Sequence, residues 1–165
     1  MQQVHTNLFI GTDEDCTTFT KNAGFAIVHS CKSCHQKRLE NNGTLSSTHP
    51  HYLVYEEDSH LYLNLLDLPT ELLPEIAHPM FKSAMEFIHR EIQNKKVLIH
   101  CKFGMSRSPS IGLAYLAISG VISNNSFKEA INDFLSLYPG YAPGTGITFY
   151  MKHHWDFLMK EILTT

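Results

Sequence analysis

The segment VLIHCKFGMSRS, residues 97–108, places a cysteine and an arginine at a spacing that suits chemistry on a phosphate group. An apolar run precedes Cys101 and a helix-like pattern follows Arg107, so the segment predicts a strand, a tight turn and the start of a helix. Backbone N–H groups in such a turn point inward beside the positive end of the helix, and together they bind an anion. Gly104 gives the backbone the freedom that this curl requires. The sequence therefore predicts an anion-binding loop that begins with a cysteine.

Cys101 and Arg107 are expected to face the same phosphoryl group. The loop stabilises a thiolate, the nucleophilic form of cysteine, and the planar guanidinium binds two phosphoryl oxygens at once. We expect Ser108 to hydrogen-bond the sulfur and help it leave when a phosphocysteine is hydrolysed, and His100 to fix the loop through hydrogen bonds. A buried core cysteine with an incidental arginine is the alternative. The other residues expected to form the phosphate-binding loop are Lys102, Phe103, Gly104, Met105 and Ser106.

Cleavage of a phosphate ester also requires a proton for the departing oxygen, and Asp67 is the candidate donor. It follows the strand-like segment LYLNLL and precedes Cys101 by 34 residues, so we expect it at the same edge of the sheet. Glu71 is a nearby competitor, and a turn before Pro69 is the alternative explanation for Asp67. Asp67 would act first as an acid and then as the base that activates water.

The order of strand and helix patterns predicts an α/β fold with a central mixed, mostly parallel sheet flanked by helices. NLFIG, FAIVHS and KVLIH have the apolar character of buried strands, and YLVYEEDSHLYLNLLD indicates a strand pair. Helices are predicted for 14–24, for 74–95 and for three segments after the loop, beginning near residues 110, 127 and 145. The polar residues 32–51 predict an exposed loop.

Composition limits the classes of function. The chain has 165 residues, 43% of them hydrophobic, which suits one domain over residues 1–165. With a formal charge of −3, the chain lacks the excess of basic residues that binding to nucleic acid normally requires, so we expect no nucleic-acid partner. Neither a signal-peptide pattern nor a membrane-length apolar run occurs in the sequence, so we expect a cytoplasmic protein without stable membrane association. Delivery into another cell by a route that needs no signal peptide is left open. We also expect a monomer. The four cysteines are expected to be reduced.

The segment HSCKSCHQ contains a second chemical motif, Cys31-x-x-Cys34 followed by histidine. The spacing occurs in covalent haem attachment and in half of a zinc site, for which His49 and His51 are the candidate further ligands. Their H-x-H spacing departs from the usual pattern, and we expect ordinary loop cysteines, no metal and no cofactor. A third interpretation is redox control, in which a peroxide-formed sulfenate on Cys101 is trapped as a disulfide with Cys31.

HCKFGMSRS resembles the H-C-x-x-G-x-S-R-S signature of the dual-specificity protein phosphatases, a family within the cysteine-dependent tyrosine phosphatase superfamily. NLFIG resembles the family's opening strand, and YLNLLDLP resembles the segment that carries its general acid. The helix before VLIHC and the tail SLYPGYAPGTGITFYMKHHWDFL also resemble the family, so the similarity spans most of the chain. Low-molecular-weight tyrosine phosphatases have the opposite order, with the cysteine motif near the N-terminus and the aspartate far downstream.

The resemblance implies a cofactor-independent phosphatase with a shallow pocket, acting through a phosphocysteine on a phosphorylated protein. Phosphotyrosine is the implied substrate, and phosphoserine and phosphothreonine are left open. The family usually has an asparagine in its C-terminal loop, and this chain does not have one there. The departure concerns the support of the phosphate-binding loop and not the catalytic roles. The residues found there in this chain are Ala142, Pro143, Gly144 and Thr145.

Other functions remain as alternatives. The loop recognises phosphate and not what carries it, so a phosphoinositide, a nucleotide or an RNA 5′ end is the first alternative substrate. Met105 stands where lipid-specific relatives often have a second lysine, which argues against polyphosphoinositides. A phosphate-binding module without turnover is the second alternative, and the presence of Cys101, Arg107 and Asp67 argues against it. A rhodanese-like sulfur transferase also uses a loop cysteine, but the Arg107–Ser108 pair suits phosphate better.

Overall fold

A computed structural model describes residues 1–39 and 45–160 of the chain. Its centre is a six-stranded sheet with the spatial order β1-β2-β6-β3-β5-β4. The inner pairs β2–β6, β6–β3 and β3–β5 are parallel, and the outer pairs β1–β2 and β4–β5 are antiparallel. The strands are β1 (Gln2–His5), β2 (Leu8–Gly11), β3 (Phe25–His29), β4 (Val54–Glu57), β5 (His60–Leu63) and β6 (Lys96–His100).

Helices flank both faces of the sheet, which confirms the predicted fold class. They are α1 (Asp13–Phe19), α2 (Lys32–Arg38), α3 (Pro74–Glu91), α4 (Arg107–Ile118), α5 (Phe127–Leu137), α6 (Thr145–His153) and α7 (Trp155–Lys160). The Ser126 side chain caps α5 by accepting a hydrogen bond from the Glu129 backbone N–H. Within the described residues, none of these helices has the length and apolar content needed to cross a membrane.

Three elements differ from the sequence-based prediction. Strand β1 was not predicted, because its segment QQVH is largely exposed and shows no apolar alternation. The predicted loop 32–51 begins with helix α2, which was missed because only His35 of its residues is buried, so no apolar periodicity appears. The predicted final helix is interrupted at His154 and forms α6 and α7. Residues 40–44 of the predicted loop and the end of the final helix lie outside the described residues.

The two faces of the sheet are buried to different depths. One face carries the main core, in which ten consecutive residues of α4, from Ser108 to Ala117, are buried. The other face has a small apolar cluster of Phe25, Ile27 and Leu98, with Phe9 and Phe19 packed against it. Helix α4 is apolar on nearly all sides because it is enclosed by the sheet and by other helices, including α3, α5 and α7.

The parallel strands determine where the site lies. Because β2, β6, β3 and β5 run in the same direction, their carboxyl ends share one edge of the sheet. Cys101 follows β6 directly, Cys31 lies just after β3, Asp13 lies just after β2, and Asp67 lies a few residues after β5. The chemistry-bearing residues that are distant in sequence therefore meet at this edge.

Candidate active site

Cys101 lies at the start of a curled loop between β6 and α4. Its side chain is buried, and the Ser108 hydroxyl donates a hydrogen bond to its Sγ over 3.1 Å. Gly104 adopts a φ of +68°, and a Cβ atom there would lie 3.1 Å from the Gly11 carbonyl oxygen. The loop therefore requires a glycine at this point both for its backbone angle and for its close approach to β2.

Arg107 is the first residue of α4, and its guanidinium lies in front of the loop. One terminal nitrogen donates to the Leu65 carbonyl oxygen over 3.3 Å. The buried Nε atom has no hydrogen-bond partner among the described residues, and the nearest carboxylate oxygen of Asp67 is 4.0 Å away. A buried donor without a partner is costly, and a phosphoryl oxygen would supply the missing acceptor.

A cleft of about 390 Å³ brings the predicted residues together. Ser108 lies behind the sulfur, and Lys102 places its ammonium over the ring of Phe103, 5.2 Å from the centroid. Glu71, the competitor of Asp67, instead pairs with His153 over 2.9 Å. The cleft is lined by Asp67, Leu68, Pro69, Cys101, Phe103, Met105, Ser106, Arg107, Ala142, Gly144 and Thr145.

The position of Asp67 depends on a glycine that sequence analysis did not interpret. The Asp67 carboxylate packs directly against Gly144, and a Cβ atom at Gly144 would collide with its Oδ1 atom. Gly146 is as closely packed, because a Cβ there would collide with the carbonyl oxygens of Leu68 and Thr70. The start of α6 thus fixes the segment that carries Asp67.

The C-terminal loop supports the phosphate-binding loop with groups other than an asparagine side chain. The Tyr138 hydroxyl donates to the Gly104 carbonyl oxygen over 2.8 Å, and the Ala142 backbone N–H donates to the Met105 carbonyl oxygen over 2.8 Å. The Gly144 N–H donates to the Ser106 hydroxyl over 2.9 Å. Burial raises the pKa of Tyr138, so it stays a protonated donor. The contact of Tyr138 with the loop was not predicted, because it joins residues 34 positions apart and leaves no local pattern in the sequence.

His100 anchors the loop from behind through a row of imidazoles. Its Nε2 atom lies 2.9 Å from His29 Nδ1, and His29 Nε2 lies 3.0 Å from His60 Nδ1. Burial lowers the pKa of all three imidazoles, that of His100 to about 4, so the row is neutral at pH 7. The Ser30 hydroxyl donates to the His100 carbonyl oxygen, which ties β3 to β6 beside Cys101.

Cys31 and Cys34 lie behind the loop and are not among the residues that line the cleft. Cys31 directly precedes α2, and Cys34 lies within it. The Cys34 thiol donates a hydrogen bond to Cys31, which lowers the pKa of Cys31 to about 7 and raises that of Cys34. Asp13 and His100 lie beside the two thiols, whereas His51 contacts His35 through its carbonyl oxygen. The proximity of Asp13 to this motif was not predicted, because the two lie in different elements and share no local pattern.

Comparison with known families agrees with this geometry. The sequence profile described as "Dual specificity phosphatase, catalytic domain" matches residues 8–136. The chain belongs to the dual-specificity phosphatase family. The match includes β2, Asp67, β6 and the whole loop from Cys101 to Ser108, so the predicted resemblance is confirmed and the catalytic domain is that of a phosphatase.

Solved phosphatase structures have the same fold. The structure of DUSP15 superimposes with a TM-score of 0.65 at 18% identity, covering 98% of this chain and 91% of that one. Human DUSP28 superimposes with a TM-score of 0.60 at 21% identity, covering 94% and 93%. PTPMT1, solved in complex with PI(5)P, superimposes with a TM-score of 0.61 at 14% identity, covering 95% of both chains.

Proposed function

We propose that this phosphatase hydrolyses phosphotyrosine in proteins through a phosphocysteine intermediate. The observation that carries the proposal is the convergence of the Cys101 sulfur, the unpartnered Nε of Arg107 and the Asp67 carboxylate on one cleft. Two segments distant in the sequence supply these groups, Cys101 and Arg107 from the loop between β6 and α4 and Asp67 from the segment after β5, and each group has the chemistry that one step of phosphoryl transfer needs.

In the first step, the Cys101 thiolate attacks phosphorus, forming the S–P bond while the ester P–O bond breaks. Arg107 binds the equatorial oxygens in its planar fork, where negative charge redistributes in the transition state. Asp67 enters this step protonated and gives its proton to the departing tyrosyl oxygen.

In the second step, the Asp67 carboxylate takes a proton from water, and the water oxygen attacks phosphorus. The S–P bond breaks and the thiolate is released. The Ser108 hydroxyl, which donates to Sγ over 3.1 Å, stabilises the negative charge on the departing sulfur. Inorganic phosphate and the starting protonation of Asp67 complete the cycle.

The rim of the cleft favours an aromatic phosphate over a polyanionic headgroup. Phe103 and Met105 line the cleft with 67% and 50% of their surface exposed, and Leu68 is also exposed. Arg107 is the only cation among the described residues that line it. A phosphotyrosyl ring gains apolar contact with this rim, whereas several phosphates of a polyphosphorylated headgroup would meet only Arg107 in the lining and Lys102 over the Phe103 ring.

The test compares kcat/KM on a phosphotyrosyl peptide, the matched phosphoseryl peptide and PI(5)P vesicles, all in EDTA. We expect the highest kcat/KM on phosphotyrosine and no turnover by Cys101→Ser. Asp67→Asn is expected to lower kcat by about 10²- to 10⁴-fold and to remove the basic limb of the pH–rate profile. Cys16→Ser changes a thiol outside the cleft and is the matched control, with activity retained.

Three other results of this experiment would change the proposed substrate, the proposed activity or the proposed proton donor. Higher kcat/KM on PI(5)P would assign the catalytic chemistry to a lipid substrate. Saturable binding of vanadate without turnover of any of the three substrates would indicate a phosphate-binding module. Unchanged activity in Asp67→Asn would exclude Asp67 as the proton donor.

A further inference from the structure

Four side chains that the proposed reaction steps do not use come together behind the phosphate-binding loop. One potential ligand atom from each of Asp13, Cys31, Cys34 and His100 lies within 4.8 Å of the other three. Three separate parts of the fold supply the residues: Asp13 begins α1, Cys31 directly precedes α2 and Cys34 lies within its first turn, and His100 ends β6. A carboxylate, two thiols and an imidazole are thus collected in one small volume.

Two buried polar atoms of this cluster have no hydrogen-bond partner among the described residues. They are His100 Nδ1 and Asp13 Oδ1, and they face each other at 3.3 Å. His100 is completely buried, so water does not reach its ring. Their contact with each other does not have hydrogen-bond geometry, and buried polar atoms left without such a bond are rare. A cation bound between the two atoms would satisfy both.

We propose that Asp13, Cys31, Cys34 and His100 bind one Zn²⁺ ion. Thiolate, imidazole and carboxylate are the usual zinc ligands, and Cys-x-x-Cys is a usual zinc spacing. Zn–S bonds of about 2.3 Å and Zn–N bonds of about 2.0 Å place neighbouring ligand atoms about 3.5 Å apart. The ligand atoms now lie up to 4.8 Å apart, so their separations must shorten by about 1 Å when zinc binds. On binding, the two thiols release their protons to water.

The row of imidazoles provides outer-shell support for such an ion. Zinc on His100 Nδ1 leaves the ring proton on Nε2, which donates to His29 Nδ1 at 2.9 Å. His29 then carries its own proton on Nε2 and donates to His60 Nδ1 at 3.0 Å. A ligating histidine typically donates its other ring N–H in this way, which fixes the tautomer and the ring orientation.

The proposed ion would stabilise the layer formed by α1 and α2, which is the less buried layer of the molecule. Helix α1 has no buried residue, and α2 has only His35. Zinc would cross-link both helices to the end of β6, the strand that positions Cys101. The role is structural and is independent of the proposed reaction. It differs from the sequence-based expectation of no metal, and the ligands are not the His49 and His51 considered there.

The test measures metal content and coordination in the full chain, purified under reducing conditions. The protein is incubated with zinc sulfate and passed over a chelating resin, and its zinc content is measured by elemental (inductively coupled plasma) mass spectrometry. A parallel sample is loaded with Co²⁺ for absorption spectroscopy. We expect about one zinc per chain, and a cobalt spectrum with thiolate charge-transfer bands and intense tetrahedral d–d bands. Cys34→Ser and the near-isosteric Asp13→Asn are expected to lose most of the bound zinc.

Two matched variants locate the metal. Cys16→Ser removes a nearby thiol, and Cys101→Ser removes the catalytic thiol; both are expected to retain about one zinc per chain. Circular dichroism of every variant separates loss of metal from loss of fold. Wild-type protein with less than about a tenth of a zinc per chain would overturn the proposal, as would retention by Cys34→Ser and Asp13→Asn. Loss of zinc in Cys101→Ser would overturn it by assigning the ion to the catalytic cleft.

Discussion

The guanidinium of Arg107 commits one donor to the protein and leaves another without a partner beside the cleft. Its terminal nitrogen bonds to the Leu65 carbonyl oxygen, which orients the group, while Nε remains available. Such an arrangement is preorganised for a planar, two-point interaction with a phosphoryl group. A lysine ammonium would keep the charge and lose the geometry.

We therefore predict that Arg107→Lys lowers kcat on a phosphotyrosyl peptide by about 10²-fold, because one oriented donor to the transition state is lost. The measurement is steady-state kinetics, with folding checked by thermal denaturation. Arg90→Lys makes the same chemical change on an exposed arginine that pairs with Glu56, and its kinetics should match wild type. Equal kcat in Arg107→Lys and wild type would show that only the charge is required.

The redox role of Cys31 is a second prediction at this scale. Cys31 and Cys101 follow neighbouring parallel strands, and the pKa of Cys31 is lowered to about 7. Peroxide would oxidise Cys101 to a sulfenic acid, and attack by the Cys31 thiolate would release water and form a disulfide. In zinc-free protein, intact mass spectrometry should show the loss of two hydrogen atoms.

The variants of Cys31 and Cys34 distinguish the disulfide partners. The peroxide-dependent mass change should persist in Cys34→Ser and disappear in Cys31→Ser. Its persistence in Cys101→Ser would show instead that Cys31 and Cys34 oxidise each other, and its absence in wild type would remove the prediction.

Among the elements, the start of α6 has the most direct influence on Asp67, the proposed general acid. The Gly146 N–H donates to the Leu68 carbonyl oxygen over 3.0 Å, and the Leu72 N–H donates back to the Gly146 carbonyl oxygen over 3.4 Å. These bonds lie on either side of the segment that follows Asp67. Because the contacts are between backbones, the position of Asp67 depends on the absence of a side chain at residue 146.

We predict that Gly146→Ala displaces the 67–72 segment and lowers kcat by at least about 10-fold, because the added Cβ would collide with two backbone carbonyl oxygens. Steady-state kinetics measures the change in kcat, and thermal denaturation measures any loss of stability in the same variant. Gly140→Ala is the matched control, since its Cβ would meet no atom closer than 3.7 Å. A normal kcat in Gly146→Ala would contradict the argument that this contact positions Asp67.

At the scale of the whole molecule, the layers on the two faces of the sheet differ in how firmly they are packed. The metal-free protein should therefore open α1 and α2 more readily than α4, whose residues from Ser108 to Ala117 are buried. Hydrogen–deuterium exchange should show faster amide exchange in α1 and α2. Exchange as slow as in α4 would contradict this ranking.

The same contrast explains what the sequence could predict. Helix α3 and strand β6 have clear apolar patterns because they face the main core, and both were found. The loop from Cys101 to Ser108 was located by local spacing alone. Helix α2 has almost no apolar face, and the contacts of Tyr138 and Gly144 with the loop join residues more than thirty positions apart. Such contacts leave no local pattern in a single sequence.

The position of the segment that carries Asp67 bears on the timing of the catalytic cycle. Its backbone is hydrogen-bonded to α6, which holds Asp67, the proposed proton donor, beside the cleft. We expect a segment held in this way neither to close over the substrate nor to reopen for product release. The turnover number should be set by bond breaking rather than by loop motion, and it should be insensitive to the viscosity of the solvent.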